Sequence, residues 1–182
     1  QVNNTITDYF SNNLGKFDDV FRRSLLLSEI DDIDDSILNS KMSIKCQLMA
    51  TVSTTTKSNI SLSYPVQIAA ADDKEYRVSS GSFTYNNQTC SIKNKLSSTT
   101  LQIIASDNSV IVDNVGQYYP VTGKLVLNDF IVDSITDADT NTAGDQLKIS
   151  VVPANESTIR PLRNYIITLD TSMLSTNAIV DY

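Results

Sequence analysis

Apolar residues recur every three or four positions near the start of the chain and every second position further on. Ile6, Tyr9, Phe10 and Leu14 share one face at helical spacing. Thr5 and Asp8 stand as a capping pair for that helix, and Gly15 is placed to end it. Lys16 to Arg23 reads as a connection or a short extended piece. A second stripe follows at Leu26, Ile30, Ile33 and Ile37, with Ser28 and Asp31 offering another cap. From Met42 the period falls to two. Met42, Ile44, Cys46, Leu48, Ala50 and Val52 alternate with mostly polar residues, and Ile60, Leu62, Tyr64, Val66 and Ile68 repeat the pattern. These two runs are predicted to pair as an antiparallel hairpin, with Pro65 keeping the second at an edge or a bulge.

The rest of the pattern is strand and turn. Residues 82–96 predict a hairpin turning at Asn86 and Asn87, because asparagine tolerates a left-handed backbone. "TTLQIIAS" and "SVIVDNV" predict a second pair turning at Asp107 and Asn108. Tyr118 to Gly123 reads as a loop, in which Tyr118 and Tyr119 before Pro120 fit either a recognition loop or plain packing. Residues 124–135 and 146–154 are strand segments flanking a polar loop from Thr136 to Asp145, and Asn164 to Asp170 is the last expected strand. The expected class is α+β, mainly β. A helical interaction or connecting element over 1–40 precedes an antiparallel β domain over 41–182.

Composition narrows the chemistry. The 182 residues are 41% hydrophobic, enough for one substantial domain with a small attached element. A net charge of −7 argues against nucleic acid and against anionic membranes, and leaves room for a basic protein partner. No apolar run approaches the ~20 residues that span a bilayer. The chain begins at Gln1 with no basic-then-apolar leader, which predicts a fragment or a processed product. Histidine is absent, which removes Ser-His-Asp and Cys-His catalysis and histidine-based zinc sites; no glycine-rich phosphate loop exists either. No enzymatic activity, cofactor, metal or small-molecule substrate is expected.

Five features remain. Asp31, Asp32, Asp34 and Asp35 surround the isoleucine stripe, and adjacent helical positions point about 100° apart, so few of these acids could converge on a cation. They read as a solvated face near a helix N-terminus, or as a partner contact. Asp137, Asp139 and Asn141 match the start of a calcium loop, but Gly144 arrives late and Lys148 stands where a bidentate glutamate belongs. Arg22 and Arg23 lie between two acidic runs, and fit either ion pairs within the chain or an interface clasp on carboxylates. Asn3, Asn59, Asn87 and Asn155 open N-x-S/T sequons, which chance alone supplies in so Asn/Ser/Thr-rich a chain. Cys46 and Cys90 could bridge, though a chain of this size needs no staple and two buried thiols are favoured.

The run "ITDYFSNNLGKFDDVFRRSLLLSEIDDIDDSILNSKMSIKCQ" resembles the baseplate J-like family of contractile-tail proteins, and is similar to the large wedge subunits of T-even-like phages. The likeness rests on "YFSNNLGKFDDVFRRS" and on the acidic isoleucine stretch leading into a strand. It covers about the first quarter of the chain; beyond Val52 only the order of strands and turns is shared. It implies the C-terminal part of a longer structural protein of the virion tail baseplate, assembled in the host cytoplasm. Such a subunit forms a homodimer and contacts other wedge proteins, linking wedges into a ring. The expected interface residues are Tyr9, Phe10, Phe17, Phe21, Arg22, Arg23, Ile30, Ile33 and Ile37, since aromatics and arginines anchor such surfaces. Each also fits a place in the chain's own core. The rival expectation is an extracellular β-sandwich adhesion or glycan/receptor-binding module, monomeric, with exposed aromatic loops and a Cys46–Cys90 bridge. A carbohydrate-active enzyme with two facing carboxylates is a more distant third.

Overall fold

The early period of three to four is helical, as the spacing predicts. In a computed structural model of the chain, residues 1–135, 145–161 and 165–177 are described. Helix α1, Val2–Asn13, buries Ile6 and Tyr9, and the chain leaves it through extended Leu14 and Gly15 at φ +110. It begins one turn before the expected cap. Gln1 takes that place without a side-chain bond, and the Thr5 hydroxyl donates back to the Gln1 carbonyl at 3.5 Å.

A two-residue strand β1, Phe21–Arg22, leads into α2, Arg23–Asp31. α2 buries Leu26 and Ile30 and stops there, so Ile33 and Ile37 sit half-buried in turns, not on a four-residue helical stripe. Ser28 does not cap a helix; it lies inside α2, and its carbonyl accepts the Asp32 N–H at 3.0 Å. The aspartates therefore follow a helix C-terminus and do not open an N-terminus. Acids there oppose the helix dipole, and no basic residue stands in the last turn. Asp34 then accepts the Ser36 N–H at 2.8 Å, a local turn that competes with further helix.

Ten strands follow in one antiparallel sheet: β2 Cys46–Thr51, β3 Ser58–Ser63, β4 Val78–Ser80, β5 Phe83–Tyr85, β6 Gln88–Asn94, β7 Thr100–Ala105, β8 Val110–Tyr119, β9 Lys124–Phe130, β10 Ser134–Ile135 and β11 Gln146–Val151. Their order is β2-β11-β4-β6-β7-β8-β9-β3, with β5 beside β6 and β10. The sheet curls until it is nearly closed. The predicted β2/β3 hairpin does not form: β2 ladders with β11 and β3 with β9, at opposite ends of the order. Between them, Val52 N–H donates to the Asp145 carbonyl at 2.8 Å, and Ser53 accepts from Val132 N–H at 3.2 Å, which draws the connection away from a hairpin turn. The Tyr64 hydroxyl, just past β3, donates to the Ile149 carbonyl of β11 at 2.7 Å and ties the two ends together.

The hairpin at Asn86 (φ +51) and Asn87 (φ +60) forms as predicted, and Asn108 (φ +66) turns β7 into β8. Tyr118 and Tyr119 are not loop residues. They end β8, opposite Leu125 and Lys124, and Tyr118 is fully buried. The predicted loop shrinks to Pro120–Gly123. A Cβ on Gly123 (φ +66) would meet the Val66 carbonyl oxygen at 2.3 Å. Phe83 and Phe130 meet edge-on at 5.6 Å in a core that also holds Leu101, Leu125, Leu127, Leu147 and Ile149. Asn94 is buried there too, and its Oδ1 accepts the backbone N–H groups of Arg77 and Val78 at 2.6 and 2.9 Å.

After β11 the chain returns to the first segment. Strand β12, Thr158–Ile159, pairs with β1 in the register Phe21↔Ile159. The strand expected up to Asp170 is absent over its described part, Tyr165–Asp170. Two compact units result: Gln1–Ser43 with Asn155–Tyr182, and Ile44–Ala154. The single β domain expected over 41–182 thus gives up its last stretch to the helical unit. Asp137, Asp139, Asn141 and Gly144 of the calcium-like motif lie outside the described residues. Among those described, no helix is long and apolar enough to cross a membrane.

Candidate interaction surface

The helical unit holds every predicted site residue, but it uses them differently. Tyr9, Phe10 and Phe21 form one aromatic cluster, with ring centroids 6.0 Å (Tyr9–Phe10), 6.1 Å (Tyr9–Phe21) and 5.7 Å (Phe10–Phe21) apart. The Tyr9 hydroxyl donates to the Arg22 carbonyl at 3.4 Å. Tyr9, Phe21 and Ile30 are buried, and Phe10, Ile33 and Ile37 are half-buried. Phe17, by contrast, is 60% exposed in the connection between α1 and β1. Arg23 faces Glu156 at 3.6 Å within the unit, with its Nε buried and without a hydrogen-bond partner among the described residues, while Arg22 is exposed at the start of α2.

The outward strip of α2 was not legible as a site. Leu25, Ser28, Glu29 and Asp32 stand three and four residues apart, and all are exposed. The signal was present in "LLL": three successive leucines point about 100° apart, so one face cannot bury them all. Leu26 is buried, Leu27 is half-buried, and Leu25 is left 53% exposed. Leu38, just beyond the aspartates, is 89% exposed, and Met173 of the same unit is 58% exposed.

Among the described residues none of Glu29, Asp31, Asp32, Asp34 and Asp35 joins an ion pair. Asp34 has its carboxyl held below the usual range by the Ser36 hydroxyl and N–H. No described group of three or more Asp, Glu or Cys side chains is gathered as a metal site would require.

The sheet unit also exposes large apolar side chains, among them Met49, Leu96 and Val110. Cys46 and Cys90 are free thiols. They lie on β2 and β6 with β11 and β4 between, so three strand spacings of about 4.8 Å separate their strands, too far for the ~7 Å Cα limit of a disulfide. Burial pushes the Cys46 thiol up to about 11. Arg77 donates to Asp72 at 3.0 Å, to Glu75 at 2.9 Å and to the Ala70 carbonyl at 3.2 Å, a network that fixes the loop before β4. Tyr119 and Val121 are exposed around the β8–β9 turn.

Comparison with protein-family models and with curated proteins finds no match for this chain.

The surface must therefore be read by its own chemistry. Apolar knobs set among unpaired carboxylates suit docking to protein, because the knobs supply buried area and the charges select a partner.

Proposed function

We propose that the chain is a structural subunit of a contractile-tail baseplate wedge, acting through protein–protein interfaces and catalysing nothing. The observation that carries this reading is the exposure of Phe17, Leu25, Leu38 and Met173 in one small unit. Each such side chain gains roughly 1.5–3 kcal/mol when a partner covers it. The resemblance of residues 6–47 to baseplate J-like proteins supplies the setting: a homodimer and neighbouring wedge proteins in the virion. Phe17, Arg22, Ile33 and Ile37 then serve contact, with Tyr9, Phe10, Phe21, Arg23 and Ile30 shaping the surface from beneath.

The exposed Tyr119 beside Val121 favours a second reading, an extracellular binding module that meets its ligand through the β8–β9 turn. Light scattering with and without reductant separates the two. A dimer indifferent to reductant is expected of the wedge subunit. A strict monomer at all concentrations would favour the binding module.

A further inference from the structure

We infer that the outward strip of α2 docks a basic, apolar-anchored segment of a different protein chain, and not a second copy of this one. The inference rests on reading the chain as an interaction subunit, and it names the partner's chemistry. The strip is an exposed helix face. Leu25, Ser28, Glu29 and Asp32 lie along it, all exposed, opposite the buried Leu26 and Ile30. From Leu25 to Asp32 the helix rises about 10 Å, so an occupant needs an apolar anchor and a cation about that far apart.

Charge decides which occupant fits. The unit that contains α2 carries eleven acidic residues against six basic ones, whereas the sheet unit carries ten against eight. The acids at the end of α2 repel one another and the helix dipole, and no described ion pair relieves them. A lysine or arginine arriving there gains from both. A second copy brings the same net charge of −7, so two copies repel one another as they approach, and a basic chain is drawn in. The same sign turns away nucleic acid and anionic lipid.

The test is fluorescence anisotropy of the intact chain with two labelled amphipathic peptides, one built of leucine and lysine, the other of leucine and glutamate. The lysine peptide is expected to bind, more weakly as salt rises, and the glutamate peptide is not. Leu25→Ser and Glu29→Lys are each expected to weaken lysine-peptide binding by about tenfold or more. Asp73→Lys, an equal charge change at an exposed position in the sheet unit, is expected to leave it unchanged. Circular dichroism checks that each variant stays folded. Equal loss in Asp73→Lys would mean general attraction to an acidic protein, and wild-type binding by either strip variant would mean a different surface; both overturn the inference. Scattering reads self-association separately. A monomer that discriminates the peptides through α2 supports this inference while removing the ring-forming role.

Discussion

Two tyrosines in the sheet show how differently one hydroxyl can act. Both side chains are buried, but Tyr64 donates to the Ile149 carbonyl at 2.7 Å, whereas the Tyr118 hydroxyl has no partner among the described residues. Tyr64→Phe should cost about 1–3 kcal/mol, because a buried bond between the two ends of the sheet is lost. Tyr118→Phe removes only an unpaired polar atom and should be neutral or slightly stabilising. Urea midpoints measure both, and the reverse order would refute the contrast. Cys46 gives a pH dependence at the same scale. Burial raises its thiol from 9.0 to about 11. The folded chain then holds a proton that the unfolded chain loses first, so this contribution is complete below about pH 9 and disappears as pH rises towards 11. Wild type should lose more stability than Cys46→Ala between those limits. Parallel profiles would show that the thiol does not titrate in this way.

At the scale of elements, α2 ends where the acids gather. The apolar spacing continues through Ile33 and Ile37, yet the helix ends at Asp31. Asp31→Lys places a cation where the dipole favours one, and should stabilise the helical unit by about 0.3–1 kcal/mol. Thermal unfolding followed at 222 nm would read it, and an unchanged or lower midpoint would mean that the Asp34 turn alone stops the helix. This is also where sequence reading reaches its limit. Period located α1, the presence of a second helix and the longer strands of the sheet, because burial on one face writes itself locally; it missed where α2 begins and the short strands β4 and β12. The Asn86–Asn87 turn was legible because its backbone demand is met by those two residues. Strand partners were not legible: β2 and β3 alternate as a hairpin would, but their ladders go to β11 and β9, more than sixty residues on in each case. In the candidate site, the aromatic and isoleucine positions could be named but not sorted. Phe21, against which Tyr9 packs, lies in β1 and is paired by β12 from the far end of the chain, a neighbour that local spacing does not show.

That long pairing governs the whole molecule. The sheet unit enters at Ile44 and leaves at Ala154, and its first and last long strands are direct neighbours in the register Cys46↔Val151. The strand ends next to its two termini are therefore about one strand spacing apart, roughly 5 Å, and excising the unit breaks none of its own ladders. The helical unit has the opposite character. Its β1–β12 pair joins residues separated by the entire sheet unit, so closing it carries the loop entropy of that intervening chain unless the sheet has already folded and shortened the gap. Residues 44–154 alone should fold cooperatively, with one urea transition and a β-type spectrum. Residues 1–43 alone should not, because they lack both β12 and Glu156. In the intact chain, Leu26→Ala should then destabilise the helical unit by about 2–5 kcal/mol and leave sheet amides as protected from hydrogen exchange as before. Sheet protection that falls in step with the helices, or an excised 44–154 that stays unfolded, would mean that the two units fold as one and that the order argued from loop entropy is wrong.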